Sequence, residues 1–142
     1  MIINLIHILL MSMLWVQGAG EMKIVVSNIY PAEGQLYVAV YRGENGFMNA
    51  DSASYSQIVD INAERHTIVF SEIEVGEYAV AIFQDVNGNG RLDMKKARIP
   101  NEPFGFSNDA RSKMGPPGYE KAKFYFSGDM EINIRLVNNE KK

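Results

Sequence analysis

The 142-residue chain contains no cysteine. Disulfides, zinc–thiolate centres, cysteine nucleophiles and a lipidated N-terminal cysteine are therefore excluded. Positive charge is also scarce. Fourteen Lys and Arg against 17 Asp and Glu leave a net charge of −3, which argues against nucleic acid as a partner, because that role calls for a basic face. Tryptophan occurs once (Trp15) and histidine twice (His7 and His66). No Gly-x-Ser-x-Gly elbow or glycine-rich phosphate loop occurs. No segment carries a sustained helical apolar stripe, so a helix-based body is not expected either.

Long apolar runs are lacking with one exception. Ile2–Val16 is mostly Ile, Leu and Met, broken by Asn4, His7 and Ser12. That is short of the roughly 20 apolar residues a membrane-crossing helix needs. Residues 1–20 carry no Asp, Glu, Lys or Arg and end in Gln17-Gly18-Ala19-Gly20, small residues of the kind found at a leader cleavage site. The expectation is a signal peptide over 1–20, a domain over 21–137 and a frayed tail over 138–142. The protein would then be exported, periplasmic or extracellular, with no transmembrane span after leader removal. Without the leader no Trp and only His66 remain, and about 120 residues still suffice to bury a core without disulfides.

What is there has period two. In Gln35–Arg42, Leu36, Val38 and Val40 share one face; in Met130–Leu136, Met130, Ile132, Ile134 and Leu136 alternate with Glu131, Asn133 and Arg135. Similar patterns cover Met22–Ile29, His66–Phe70, Tyr78–Gln84 and Ala122–Phe126, with Tyr55–Ile61 weaker and at most a short helix or turn in Met48–Gln57. About seven short strands set apart by Gly and Pro predict an all-β, antiparallel two-sheet sandwich, with a small closed barrel as the alternative. Ile73-Glu74-Val75-Gly76-Glu77-Tyr78 leading into an alternating strand is similar to transthyretin-like and immunoglobulin-like sandwiches. There Gly76 would supply a positive φ and the Tyr78 hydroxyl would bond to nearby backbone.

One stretch has ligand spacing. Asp85-Val86-Asn87-Gly88-Asn89-Gly90-Arg91-Leu92-Asp93 puts side-chain oxygens at alternate positions before a glycine, as in the first half of a calcium loop. Ca²⁺ takes six to eight oxygens, and a tightly turning backbone can aim Asp85, Asn87 and Asn89 at one point, with the Arg91 carbonyl and Asp93 completing the arc. The second half departs: the place of a bidentate Glu is Lys96, so an EF-hand is excluded and Glu102 is the nearest carboxylate to finish the shell. The competing reading is a turn whose Asn-Gly pairs satisfy backbone geometry alone. Both stay open.

Met94–Gly118 is a loop of 25 residues with four prolines. Loops that long in small domains tend to be functional, and Ile99, Phe104 and Phe106 predict that this one is ordered. Phe104, Phe106, Asn108 and Tyr119 could form a rim gripping a cell-envelope glycan, peptide or protein. Alternatively, the loop caps an open end of the sandwich with both phenylalanines in the core.

Taken in order, Val75–Ala81, Asp85-x-Asn87-Gly88-Asn89-Gly90-x-Leu92-Asp93, Pro100-x-Glu102-Pro103-Phe104-Gly105-Phe106-Ser107-Asn108 and Gly115-Pro116-Pro117 resemble the secreted bacterial family called domain of unknown function 2141. The resemblance covers roughly Met22–Val137 and implies export and a β-sandwich, without an established activity. His66, at the start of a strand and far in sequence from a convincing nucleophile, reads as a strand-edge residue. The functional expectation is a secreted, non-enzymatic β-sandwich that binds an envelope or extracellular partner and carries a structural calcium loop. The alternatives are a calcium-assisted hydrolase using Asp85, Asp93 or Glu102, and a purely structural envelope protein.

Overall fold

A computed structural model describes residues 18–139. Residues 1–17 of the expected leader and 140–142 of the expected tail lie outside the described residues. Among those described there are eight strands: β1 (Gly20–Ser27), β2 (Gln35–Arg42), β3 (Tyr55–Asp60), β4 (His66–Ile73), β5 (Gly76–Asp85), β6 (Phe104–Phe106), β7 (Phe124–Phe126) and β8 (Met130–Arg135). A single α-helical turn, α1 (Tyr119–Ala122), precedes β7.

The strands form two sheets and no barrel. One has the order β4-β1-β8; the other has the order β3-β2-β5-β6, with β7 pairing to the start of β5. Five pairings are antiparallel, whereas β1 and β8, the first and last strands, run parallel. The expected two-sheet all-β sandwich is what the chain adopts.

Alternation places the core. Met22, Ile24 and Val26 of β1, Ile68 and Phe70 of β4, and Ile134 of β8 face Leu36, Val38 and Val40 of β2 and Tyr78, Val80 and Ile82 of β5. Burying each such side chain contributes roughly 1.5–3 kcal/mol, so the facing sheets hold together without a cross-link. Near its end β4 carries one residue more than β1 opposite it: Met22 pairs with Phe70 but Gly20 with Ile73. The extra residue is absorbed at Glu72, whose φ is +58°, and this bulge returns Ile73 to the inner face.

Several local expectations are corrected. Gly76 does not have a positive φ; it opens β5, where an added Cβ would sit 3.3 Å from Arg42 Nε, a close contact with a movable side chain. Tyr78 behaves as expected, fully buried and donating to the Glu74 carbonyl at 2.8 Å. Ala122 ends the helical turn instead of starting a strand, and β6 is an eighth strand inside the segment read as a structureless loop. The stretch around Met48–Gln57 holds a 3-10 turn, Ala50–Ser52, capped by the Asn49 side chain. At the chain ends, β1 takes up Gly20, the last residue assigned to the leader. Asn138 and Asn139, assigned to the tail, donate to the carbonyls of Tyr30 and Pro100. No described helix is long and apolar enough to cross a membrane.

Candidate functional site

The five-stranded sheet is apolar on both faces. Its outer face carries Tyr37, Ala39 and Tyr41 of β2 and Ala79, Ala81 and Phe83 of β5, the positions between those that build the core. β6 adds Phe104 and Phe106 to the same outer face, because Phe83 pairs with Phe104 and Ala81 with Phe106. Gly105, between them, points at β8, where a Cβ would meet Ile134 Cγ2 at 2.8 Å. The two phenylalanines therefore do not enter the space between the sheets; they extend the sheet's outer surface.

One end of that surface is covered. Tyr119 and Ala122 of α1 pack on Ala79 and Phe106, with Phe47 edge-on to both Tyr41 and Tyr119. Burial, followed by the nearby Glu77, pushes the Tyr119 hydroxyl up to about 12. Ser107 ties this cap down: its buried hydroxyl accepts from Val80 N at 2.9 Å and donates to the Ala122 carbonyl. Asn108 donates to the carbonyls of Lys121 and Lys123. Of the four residues expected at a partner rim, Asn108 and Tyr119 thus anchor the cap, while Phe104 and Phe106 also line an open groove beside it.

The groove has a volume of about 1070 Å³, at or above the upper end of the ~300–1,000 Å³ typical of ligand sites. Its floor is the middle of the outer face, and its sides are the 48–58 segment and the loops over 92–100 and 112–116. Met48, Ile58, Met94, Ile99 and Met114 line it, five of the eight large apolar side chains exposed among the described residues. An apolar surface concentrated this way marks an interaction site far better than scattered residues do. Sequence reading missed this floor. The available signal was that residues 36–41 and 78–83 are apolar at odd as well as even positions, the mark of a strand covered on both sides.

Beside the groove, residues 85–102 form a self-bonded loop. Asp85 is fully buried and its carboxylate accepts from three backbone N–H groups, those of Gly88, Asn89 and Gly90, at 2.8, 3.2 and 2.7 Å. Gly88, at φ +75°, makes the sharp bend that brings the N–H groups of Asn89 and Gly90 round. Glu102, only 5% exposed, accepts from Val86 N at 2.9 Å and Asp93 N at 3.0 Å and so clamps the two ends of the 86–93 turn. Asn87 and Asn89 both point their side-chain amides at the Asp93 carboxylate. Those bonds, helped by Arg91 at 3.6 Å, hold Asp93 below the usual carboxylate range.

The expected ligand side chains thus share one hydrogen-bonded loop, but each carboxylate's oxygens are engaged by N–H donors. Asn87 and Asn89 turn nitrogen rather than oxygen towards Asp93. Among the described residues no three His, Asp or Glu side chains form a metal-holding group. His66 Nε2 accepts from Asn62 N at 3.2 Å at the edge of β4.

The family described as "Uncharacterized protein conserved in bacteria (DUF2141)" matches residues 24–134, which takes in every strand from within β1 to within β8. No curated protein and no solved structure matches the chain.

Proposed function

We propose a function from one premise, that this chain belongs to the DUF2141 family: it is an exported, non-enzymatic binding domain that grips an envelope or extracellular partner on the outer face of its five-stranded sheet. The observation that carries this reading is the groove, where exposed methionine and isoleucine side chains stand over an apolar sheet face. Methionine is flexible and polarizable and suits a surface that moulds to its ligand. A neutral environment-sensitive dye such as Nile red tests the reading. Saturable, blue-shifted emission is expected, lost in the Ile58→Asp/Met94→Asp double variant, whose sites are 58% and 55% exposed and cost the fold little. Unchanged binding in that variant, or none in the native protein, overturns it.

The second element of the proposal is a structural calcium in the 85–102 loop. It is supported by the convergence of Asn87 and Asn89 on Asp93 beside buried Asp85 and Glu102. Rotating each side-chain amide by half a turn, which gives up the bonds that Asn87 Oδ1 and Asn89 Oδ1 accept from Asn89 N and Arg91 N, would present two more oxygens at the point where the nitrogens now stand. A loop of this kind would bind weakly, at roughly 0.1–1 mM. Calcium at 100 times its dissociation constant then stabilises the fold by about 2.7 kcal/mol. A melting midpoint raised by Ca²⁺, reversed by chelator and abolished by Asp85→Ala, is the expected result. An unshifted wild-type melt leaves the hydrogen-bonded turn as the whole account of the loop.

A further inference from the structure

The strand register divides the groove floor into rows that cross the sheet. Ser56, Ala39 and Ala81 lie opposite one another across β3, β2 and β5, a row of small side chains. The next row, Ile58, Tyr37, Phe83 and Phe104, is uniformly large, and Tyr37 and Phe83 stack at 4.7 Å. Rows on one face are about 7 Å apart and strands about 4.8 Å apart. The small row is therefore a trough across three strands, walled on one side by aromatic rings and closed at its β6 end by Phe106. Its shape suits a slender extended chain more than a bulky ring system.

The groove has a single charge sign. Of the residues lining it, only Arg98 and Lys113 are charged, and no Asp or Glu is among them, although acids outnumber bases in the chain as a whole. Both sit on the loops that flank the trough. Arg98 is set at the tip of the small hairpin closed by the Met94–Pro100 bridge, with Ala97 and Arg98 both in the left-handed region at φ +65° and +58°. A fixed turn thus carries the guanidinium at the groove wall. An apolar trough with two cations above it complements an amphiphile with one hydrocarbon chain and an acidic head.

We infer that the groove binds a medium-chain fatty acid of about ten carbons in its carboxylate form, the chain lying along Ser56–Ala39–Ala81, two strand spacings or about 10 Å, and the head between Arg98 and Lys113. The inference rests on the groove being the binding surface and adds the class of ligand.

The test compares three probes of one chain length, each below its micelle concentration or solubility limit, by titration calorimetry with the purified protein. These are decanoate, decanol and decyltrimethylammonium. Saturable one-to-one binding of decanoate is expected, with the alcohol weaker by roughly tenfold, the worth of one charge-assisted hydrogen bond, and the cation weaker still. Arg98→Glu/Lys113→Glu, on exposed loops, should reverse the order of carboxylate and cation. Ala81→Leu should block all three, and because filling the floor could also disturb the fold, Ser56→Leu at the exposed end of the same row provides a second obstruction. Equal binding of carboxylate and alcohol, unaffected by the charge reversal but lost on obstruction, overturns the acidic ligand and leaves the groove as the binding surface. No binding of any probe, with self-association abolished by Ile58→Asp, overturns the ligand and makes the groove a contact between copies of the chain.

Discussion

Glu102→Ala removes the group that joins both ends of the 86–93 turn. Its carboxylate is 5% exposed and accepts from Val86 N and Asp93 N at 2.9 and 3.0 Å. Hydrogen bonds to a charged group are worth about 1.5–3 kcal/mol each. Val86 and Asp93 are half-buried, so water can reach the released donors and recover part of that. A loss of roughly 2–3 kcal/mol remains, about 6–15 °C in melting midpoint for a domain of this size. Glu102→Gln sharpens the argument. It keeps the volume and one acceptor, but aims an NH₂ group at a second N–H donor, so its cost should approach that of alanine. Urea unfolding of the three proteins gives the magnitudes, and amide exchange gives the location: Val86 and Asp93 should lose protection while Val38 and Val80 keep theirs. A neutral Glu102→Gln, or unchanged exchange at Val86 and Asp93, would refute the clamp.

Other perturbations act elsewhere. Ser107→Ala leaves Val80 N and the Ala122 carbonyl unpaired in a site that is 1% exposed. It should destabilise by about 1–3 kcal/mol in urea melts and loosen α1 without altering the loop. Asp93 is held below its ordinary value by Asn87 and Asn89, so its stabilising contribution is full above the unfolded carboxylate pKa of about 3.9 and fades as pH falls through the lower folded value. The stability difference between wild type and Asp93→Leu should therefore shrink below about pH 4; a difference that grows on acidification would contradict the assignment. Tyr78→Phe removes the bond to the Glu74 carbonyl and should cost about 1 kcal/mol, read as a lower urea midpoint with unchanged slope.

The two-sheet body was legible in the sequence because period-two alternation reports directly on which face is buried. Leu36, Val38 and Val40 gave β2, and Met130–Leu136 gave β8 with its inward residues. The parallel β1–β8 pairing was not legible, since alternation says nothing about which strand lies alongside or in which direction. β6 escaped because three residues with a central glycine, between Pro103 and the 3-10 turn that follows, show no period. The calcium-like spacing singled out Asp85, Asn87, Asn89, Asp93 and Glu102, which the structure ties into one hydrogen-bonded loop. Spacing could not show that backbone N–H groups converge on the same oxygens, because that depends on the positive φ at Gly88. The groove was hidden for a different reason: Tyr37, Ala39, Ala81 and Phe83 read as ordinary strand residues until the register sets them side by side.

Chemical-shift mapping of a decanoate titration tests the central claim most directly. Shifts confined to the amides of β2, β3, β5 and β6 around Ala39, Ser56, Ala81 and Phe104, together with the 94–100 and 112–116 loops, are the predicted result. Shifts centred on the β4-β1-β8 sheet, or spread evenly over the molecule, would contradict it.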